Sequence, residues 1–267
     1  MNITDKFNIN NNVLSEYFWH NKNVIMPWGV EFADSNSFFS MENGKGHRAQ
    51  ILYSESECQN SIYSFKYRIK MSEGLVEVIG ADCIYEDKII RKLKLTALED
   101  SKLLDFVMRF RFNKDIYEIA EIDNKEIKYA GTNKYYQYKC DHVLLRGKYG
   151  NVIVRTLKAS TGENMDFYMY ARDSAEDWVV HARMLPNCDE NIVIKLCSKW
   201  FKTKPLPKLV TKIICRNKKI YNYLKYHNEL TPYKSKFART FNLNAYPLAN
   251  IRAGESLEFE AEVIFSE

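Results

Sequence analysis

The run Leu103-Leu104-Asp105-Phe106-Val107-Met108-Arg109-Phe110-Arg111-Phe112 constrains the fold more than any other stretch of the chain. Phe106, Met108, Phe110 and Phe112 recur with a period of two, and Arg109 and Arg111 stand between them. A strand sends alternate side chains to opposite faces, whereas a helix would scatter this pattern around its axis. The run therefore predicts a half-buried antiparallel strand. Trp178-Val179-Val180-His181-Ala182-Arg183-Met184 repeats the arrangement, with His181 and Arg183 opposite the apolar set. The chain reads as a sheet protein with a basic sheet face, and no single reaction is written in these two runs.

The same alternation recurs along most of the sequence. Tyr63, Phe65, Tyr67, Ile69 and Met71 alternate with Ser64, Lys66, Arg68 and Lys70, and Leu257, Phe259, Ala261, Val263 and Phe265 oppose Glu258, Glu260 and Glu262. Further strands are predicted at 50–53, 75–81, 89–95, 117–122, 126–129, 135–138, 142–145, 152–157, 165–171 and 191–199. Polar turns such as Ser72-Glu73-Gly74 and Lys148-Tyr149-Gly150-Asn151 punctuate them. Sheets with one apolar face must bury it against another layer. The predicted fold is therefore all-β, a large two-sheet antiparallel sandwich. A single domain over 1–267 is expected, with 1–46 as a less regular lead-in whose segment 13–20 is either a short N-terminal helix or an edge-covering strand. Residues 209–215 read as a further strand and 218–226 as a short helix.

At 267 residues the chain can bury a full core, and 14% aromatic residues with only 10 Gly suit broad sheets better than a glycine-rich cofactor fold. No P-loop, dinucleotide fingerprint, HExxH or GxSxG motif is present, so neither a cofactor nor a metal is expected. The net charge of +5 favours anionic partners only weakly. No apolar run approaches a membrane span, and the N-terminus lacks a signal peptide's basic-then-apolar order. Cys58, Cys83, Cys140, Cys188, Cys197 and Cys215 show no paired spacing. Buried free thiols in a reducing cytoplasmic setting, with no membrane partner, are the expectation.

Arg109, Arg111, His181 and Arg183 share a groove only if the two runs lie close and turn the same face outward. In that case the guanidinium forks suit a carboxylate, sulfate or phosphate on a ligand; the alternative is pairing with Asp and Glu within the chain. Tyr168 and Trp178 offer flat faces for sugar C–H surfaces, as do Trp28 and Trp200. Acid–base chemistry falls first to His181, held mid-strand beside Arg183, with Tyr170 as proton donor and His142 or His47 as complement. Asp173, Glu176 and Asp177 lack the arrangement of a calcium loop and read as a turn.

Val107-Met108-Arg109-Phe110, the ending Pro247-Leu248-Ala249-Asn250-Ile251-Arg252-Ala253-Gly254-Glu255-Ser256-Leu257 and the order of the long strands resemble the galactose mutarotase-like superfamily across residues 50–265. That resemblance implies a large sandwich holding a carbohydrate on a concave sheet face, as in sugar epimerases and the sandwich domains of carbohydrate-processing enzymes. These motifs do not match the mutarotase-like catalytic His and acidic residue to positions of this chain. The expected function is carbohydrate or glycan recognition, extended in an enzyme to acid–base processing of an anionic sugar as a lyase, epimerase or hydrolase. In that reading Arg109, Arg111 and Arg183 neutralise the ligand, Tyr168 and Trp178 form its platform, and His181 and Tyr170 move protons. The alternatives are a structural or protein-interaction sandwich and nucleic-acid binding through the basic stretches 199–212 and 216–225. Oligomeric state leaves no mark on the sequence.

Overall fold

Alternation over 63–71 becomes the strand Ile62–Met71, in which Tyr63, Phe65, Tyr67, Ile69 and Met71 are buried and the residues between them face outward. The computed structural model describes residues 3–42, 44–187, 191–196, 204–224 and 243–267. Two antiparallel sheets dominate. The nine-stranded sheet runs in the order Lys125–Lys128, Tyr117–Ile122, His142–Gly147, Gly150–Ser160, Ser256–Ser266, Lys88–Ala97, Gly74–Ile84, Ile62–Met71 and Gln50–Gln59. The seven-stranded sheet runs Tyr135–Tyr138, Met165–Asp173, Asp177–Pro186, Asp105–Asn113, Ile25–Ala33, Phe38–Ser40 and Lys45–His47.

The sheets face each other through the aromatic sets read from sequence. Phe106 of the seven-stranded sheet lies 5.2 Å, centroid to centroid, from Phe259 of the nine-stranded sheet, and Phe39 lies 5.7 Å from Tyr67. Each such ring removed from water contributes about 1.5–3 kcal/mol, and a Phe259→Ala cavity would cost about 3–5 kcal/mol. The outer face of the nine-stranded sheet is a lattice of exposed cross-strand pairs, among them Lys92–Glu260 and Lys158–Glu258, which consumes much of the chain's charge. At one edge of this sheet every residue of Gln50–Gln59 is exposed.

One polar pair interrupts the core. Asp82 and Arg91 face each other on adjacent strands, are fully buried, and stand 3.1 Å apart. The Arg91 guanidinium lies over the rings of Trp28 and Phe65, and its Nη1 donates to the Arg109 carbonyl at 3.4 Å, crossing from one sheet to the back of the other.

Several expectations are corrected. Of the two readings of 13–20 the structure has the strand, Val13–Trp19, and a single 3-10 turn, Ile3–Lys6, lies ahead of it. Of the residues before 47, Ile25–Ala33 stands inside the seven-stranded sheet. His20-Asn21, Asn11-Asn12, Asn60-Ser61 and Asp123-Asn124 all have positive φ at both positions, as two-residue type I′ hairpin turns require, and Asn and Asp tolerate that region best. Residues 208–216 form a helix, Lys208–Arg216, where a strand was expected: Leu209, Val210, Ile213 and Ile214 recur at helical spacing directly after Pro207. The predicted short helix is Lys218–Leu224. Cys58 is exposed and Cys83, Cys140 and Cys215 are half-buried, so none of these fits the expected buried thiol; Cys188, Cys197 and Trp200 lie outside the described residues. Among the described residues no helix is long and apolar enough to cross a membrane.

Candidate functional site

Register decides whether the two basic runs share a face. Arg109 stands directly opposite His181, Val107 opposite Arg183 and Arg111 opposite Val179. His181 in turn stands opposite Tyr170, and Tyr170 opposite Gln137. Because side chains alternate along a strand, directly opposed residues point the same way. Gln137, Tyr170, His181 and Arg109 therefore make one cross-strand row, with Tyr168 and Arg183 in the next row on the same face. The opposite face carries Trp178, Val180, Ala182 and Met184 into the sandwich core.

Strand Asp177–Pro186 is nevertheless buried throughout, where a half-exposed strand was expected. Its polar side chains are covered by partners rather than by water. Arg109 donates to Glu31 and, at 2.5 Å, to Glu42. Arg111 is paired with Asp177, and Arg183 with Asp105 at 2.8 Å. Each arginine singled out in the sequence thus holds a carboxylate of the chain, which is the intramolecular alternative.

The strand that carries Gly29 and Glu31 is irregular beside Arg109. Arg109 faces Gly29 while Arg111 faces Met26, so the strand Ile25–Ala33 bulges at Pro27-Trp28. Proline cannot donate to the ladder and is tolerated at such a bulge. Trp28 Nε1 donates to the Arg111 carbonyl at 3.1 Å, and the Arg109 carbonyl receives Arg91 from behind. Gly29 leaves a space that Glu42 occupies: a Cβ there would lie 1.8 Å from Glu42 Oε2.

Electrostatics divides the titratable groups of this face. Burial, and then Arg109, Arg183 and Arg172, hold the His181 imidazolium down, so its pKa falls well below 6.5 and the ring is neutral at neutral pH. Burial pushes Glu31 the other way, to about 7; Arg109 opposes the rise, and Glu42 and Asp105 add to it. Burial also raises the Tyr170 hydroxyl, which stays protonated. His181 stacks on Tyr170 at 4.6 Å, and Tyr170 on Tyr135 at 5.4 Å. Among the described residues neither ring nitrogen of His181 has a hydrogen-bond partner, although the residue is only 7% exposed. A buried orphan of this kind costs about 1–3 kcal/mol, so the fold carries a polar group it does not use for itself.

Arg109, His181, Tyr170, Tyr168 and Arg183 share the polar face, with Arg111 beside them. Trp178 does not: it is fully buried on the core side, its Nε1 donating to the Tyr117 carbonyl at 2.8 Å, because the strand's period of two places it opposite His181. Trp28 is buried in the core as well. His142 belongs to the nine-stranded sheet and is paired with Asp141, and His47 lies at the far edge of the seven-stranded sheet. Asp173 and Asp177 are buried, Asp173 accepting from Thr132 and Asp177 holding Arg111. Sequence reasoning missed Glu31, Glu42, Asp105 and Gln137. Glu31 was legible in the alternation Trp28, Val30, Phe32 around Gly29 and Glu31; Glu42, 67 positions from Arg109, had no local signal.

No protein-family model matches the chain, and no curated protein matches it. Among solved structures it is similar to an Escherichia coli K12 protein provisionally assigned as an aldose 1-epimerase: TM-score 0.50 and 8% identity over 97% of this chain and 95% of that one. A galactose mutarotase related enzyme from Lactobacillus acidophilus aligns with TM-score 0.47 and 6% identity over 96% and 91%. The GH36 α-galactosidase AgaB of Geobacillus stearothermophilus aligns with TM-score 0.39 and 12% identity, over 94% of this chain and 31% of its own.

Proposed function

The chain has the galactose mutarotase-like fold, and we propose that the polar face of its seven-stranded sheet binds a carbohydrate and performs acid–base chemistry on it. The observation that carries this reading is His181: a neutral imidazole with both nitrogens unsatisfied, set among Arg109, Tyr170 and Gln137. A sugar hydroxyl supplies both a donor and an acceptor, and Tyr170 and Tyr168 present rings beside it.

Interconverting sugar anomers needs one group to take a proton from the anomeric hydroxyl and another to protonate the ring oxygen. His181 and Glu31 have pKa values driven in opposite directions, the arrangement by which one site runs acid and base steps together. Both meet Arg109, which faces His181 and binds Glu31. The protonated Tyr170 hydroxyl is a second donor. Since the arginines already hold carboxylates, a neutral aldose fits better than the anionic sugar expected from sequence. The similar Escherichia coli protein is named as an aldose 1-epimerase, which makes anomer exchange the first reaction to assay.

The test titrates the protein with a panel of aldoses and uronates, follows the His181 ring resonances by NMR, and measures anomer exchange by polarimetry. An aldose should shift the ring resonances, and His181→Asn should retain the fold and lose turnover. Unmoved resonances across the whole panel would sink the reading. Binding that His181→Asn leaves intact, with no turnover in either protein, would reduce it to recognition alone. An interaction module keeps one supporting observation, the fully exposed edge strand Gln50–Gln59; native mass measurement of a stable dimer would favour it.

A further inference from the structure

Charge is segregated along this chain. Residues 191–228 contain ten of its 39 Lys and Arg and none of its 34 Asp and Glu, so the remainder of the +5 protein is net acidic. Within that window the helices Lys208–Arg216 and Lys218–Leu224 pack on each other. A helix turns about 100° per residue, so Leu209 and Ile213 lie one above the other, Val210 borders them, and Lys208, Lys212 and Arg216 form a parallel stripe alongside. Only Ile214 of the first helix is buried. Leu209 is 72% exposed and Ile213 59%, with Val210 and, on the second helix, Ile220 exposed as well. A water-facing apolar stripe on an otherwise charged surface needs a partner to cover it.

We propose that this helix pair seats the protein on an anionic lipid bilayer surface, Leu209, Val210 and Ile213 entering the headgroup boundary while the flanking lysines meet lipid phosphates and carboxylates. The charge identifies the partner's sign, and the apolar stripe identifies its class. Nucleic acid would satisfy the cations but leave Leu209 and Ile213 hydrated, whereas an interface accepts both. The two contributions reinforce each other, since an amphipathic basic helix binds through buried apolar area plus attraction to anionic lipid. No membrane span is required. Surface association differs from the absence of any membrane partner expected from sequence.

The experiment is co-sedimentation of the full chain with phosphatidylcholine vesicles, with and without phosphatidylserine, across a salt series. Binding should require phosphatidylserine and weaken as salt rises. A juxtamembrane cation contributes roughly fivefold in affinity, so K218A/K219A should bind about 25-fold more weakly. L209N/I213N should lose about tenfold or more, from the apolar area withheld from the interface. Both pairs are exposed, and unchanged thermal unfolding checks that the variants remain folded. Absence of phosphatidylserine-dependent binding at low salt overturns the proposal. So does binding that L209N/I213N retains in full, because the apolar stripe would then be idle. Salt-sensitive binding of single-stranded RNA without vesicle binding also overturns it and reassigns the patch to nucleic acid.

Discussion

Arg91→Met tests the buried pair on which the back of the site rests. The substitution keeps the volume beside Trp28 and Phe65 but leaves the Asp82 carboxylate without a counter-charge in a fully buried position. Burial already raises Asp82, and Arg91 restrains that rise; without Arg91 the carboxyl takes up a proton. Protonating a carboxylate of ordinary pKa near 3.9 at pH 7 costs about 4 kcal/mol at 1.36 kcal/mol per pH unit, which matches the roughly 3–5 kcal/mol typical of a broken buried pair. The sign follows from linkage. A folded-state pKa raised above the unfolded value favours folding at low pH and loses that advantage as pH rises, so the deficit of Arg91→Met against wild type should grow between pH 5 and 7. Removing both charges, as in D82L/R91M, should recover most of the loss. Urea unfolding of wild type, R91M and the double variant at the two pH values measures all three quantities. A single-variant cost below about 1 kcal/mol, or a cost independent of pH, would refute the assignment of Asp82 as a charge held in place by Arg91.

His181→Leu should hold or raise stability at pH 7, because an apolar side chain removes two unsatisfied nitrogens, while abolishing any sugar-dependent signal. Its depressed folded-state pKa means wild-type stability falls as pH drops below the unfolded value near 6.5, so urea unfolding should show wild type losing about 2 kcal/mol more than His181→Leu between pH 6.5 and 5. Glu31 should appear in carboxyl-carbon NMR as a glutamate titrating near 7, and Glu31→Gln should delete that resonance; a Glu31 titration near 4.5 would contradict its burial among acids. Gly29→Ala should displace the buried Glu42 carboxylate from Arg109, at a cost approaching the roughly 3 kcal/mol of a broken buried pair. Unchanged Glu42 carboxyl resonances in that variant would show that the space is larger than drawn.

The strands were legible because burial on one face imposes a period of two that polar and apolar residues cannot disguise. Where that constraint was weak, reading failed. Residues 209–215 are too short an apolar run to separate strand from helix by composition, and only the spacing of Leu209 and Ile213 after Pro207 distinguishes them. The polar face was visible in Arg109, Arg111, His181 and Arg183, yet their common direction depended on a register in which Arg109 meets His181, a relation across 72 residues. Trp178 belonged to the wrong face by the same alternation that selected His181, so the sequence contained the correction. Glu42 did not, because it reaches Arg109 only through the space that Gly29 leaves.

The nine-stranded sheet has an unusual relation to the order in which its strands emerge during synthesis. Ser256–Ser266 is the middle strand, between Lys88–Ala97 and Gly150–Ser160, yet it is the latest of the nine in the chain. Until residues 256–266 are made, the four strands on either side of that position have no partner to join them into one sheet. Non-local pairing of this kind is slow, and open edges of this kind bind one another. The strand that closes the nine-stranded sheet is thus supplied last, and the flanking edges at Lys88–Ala97 and Gly150–Ser160 wait for it.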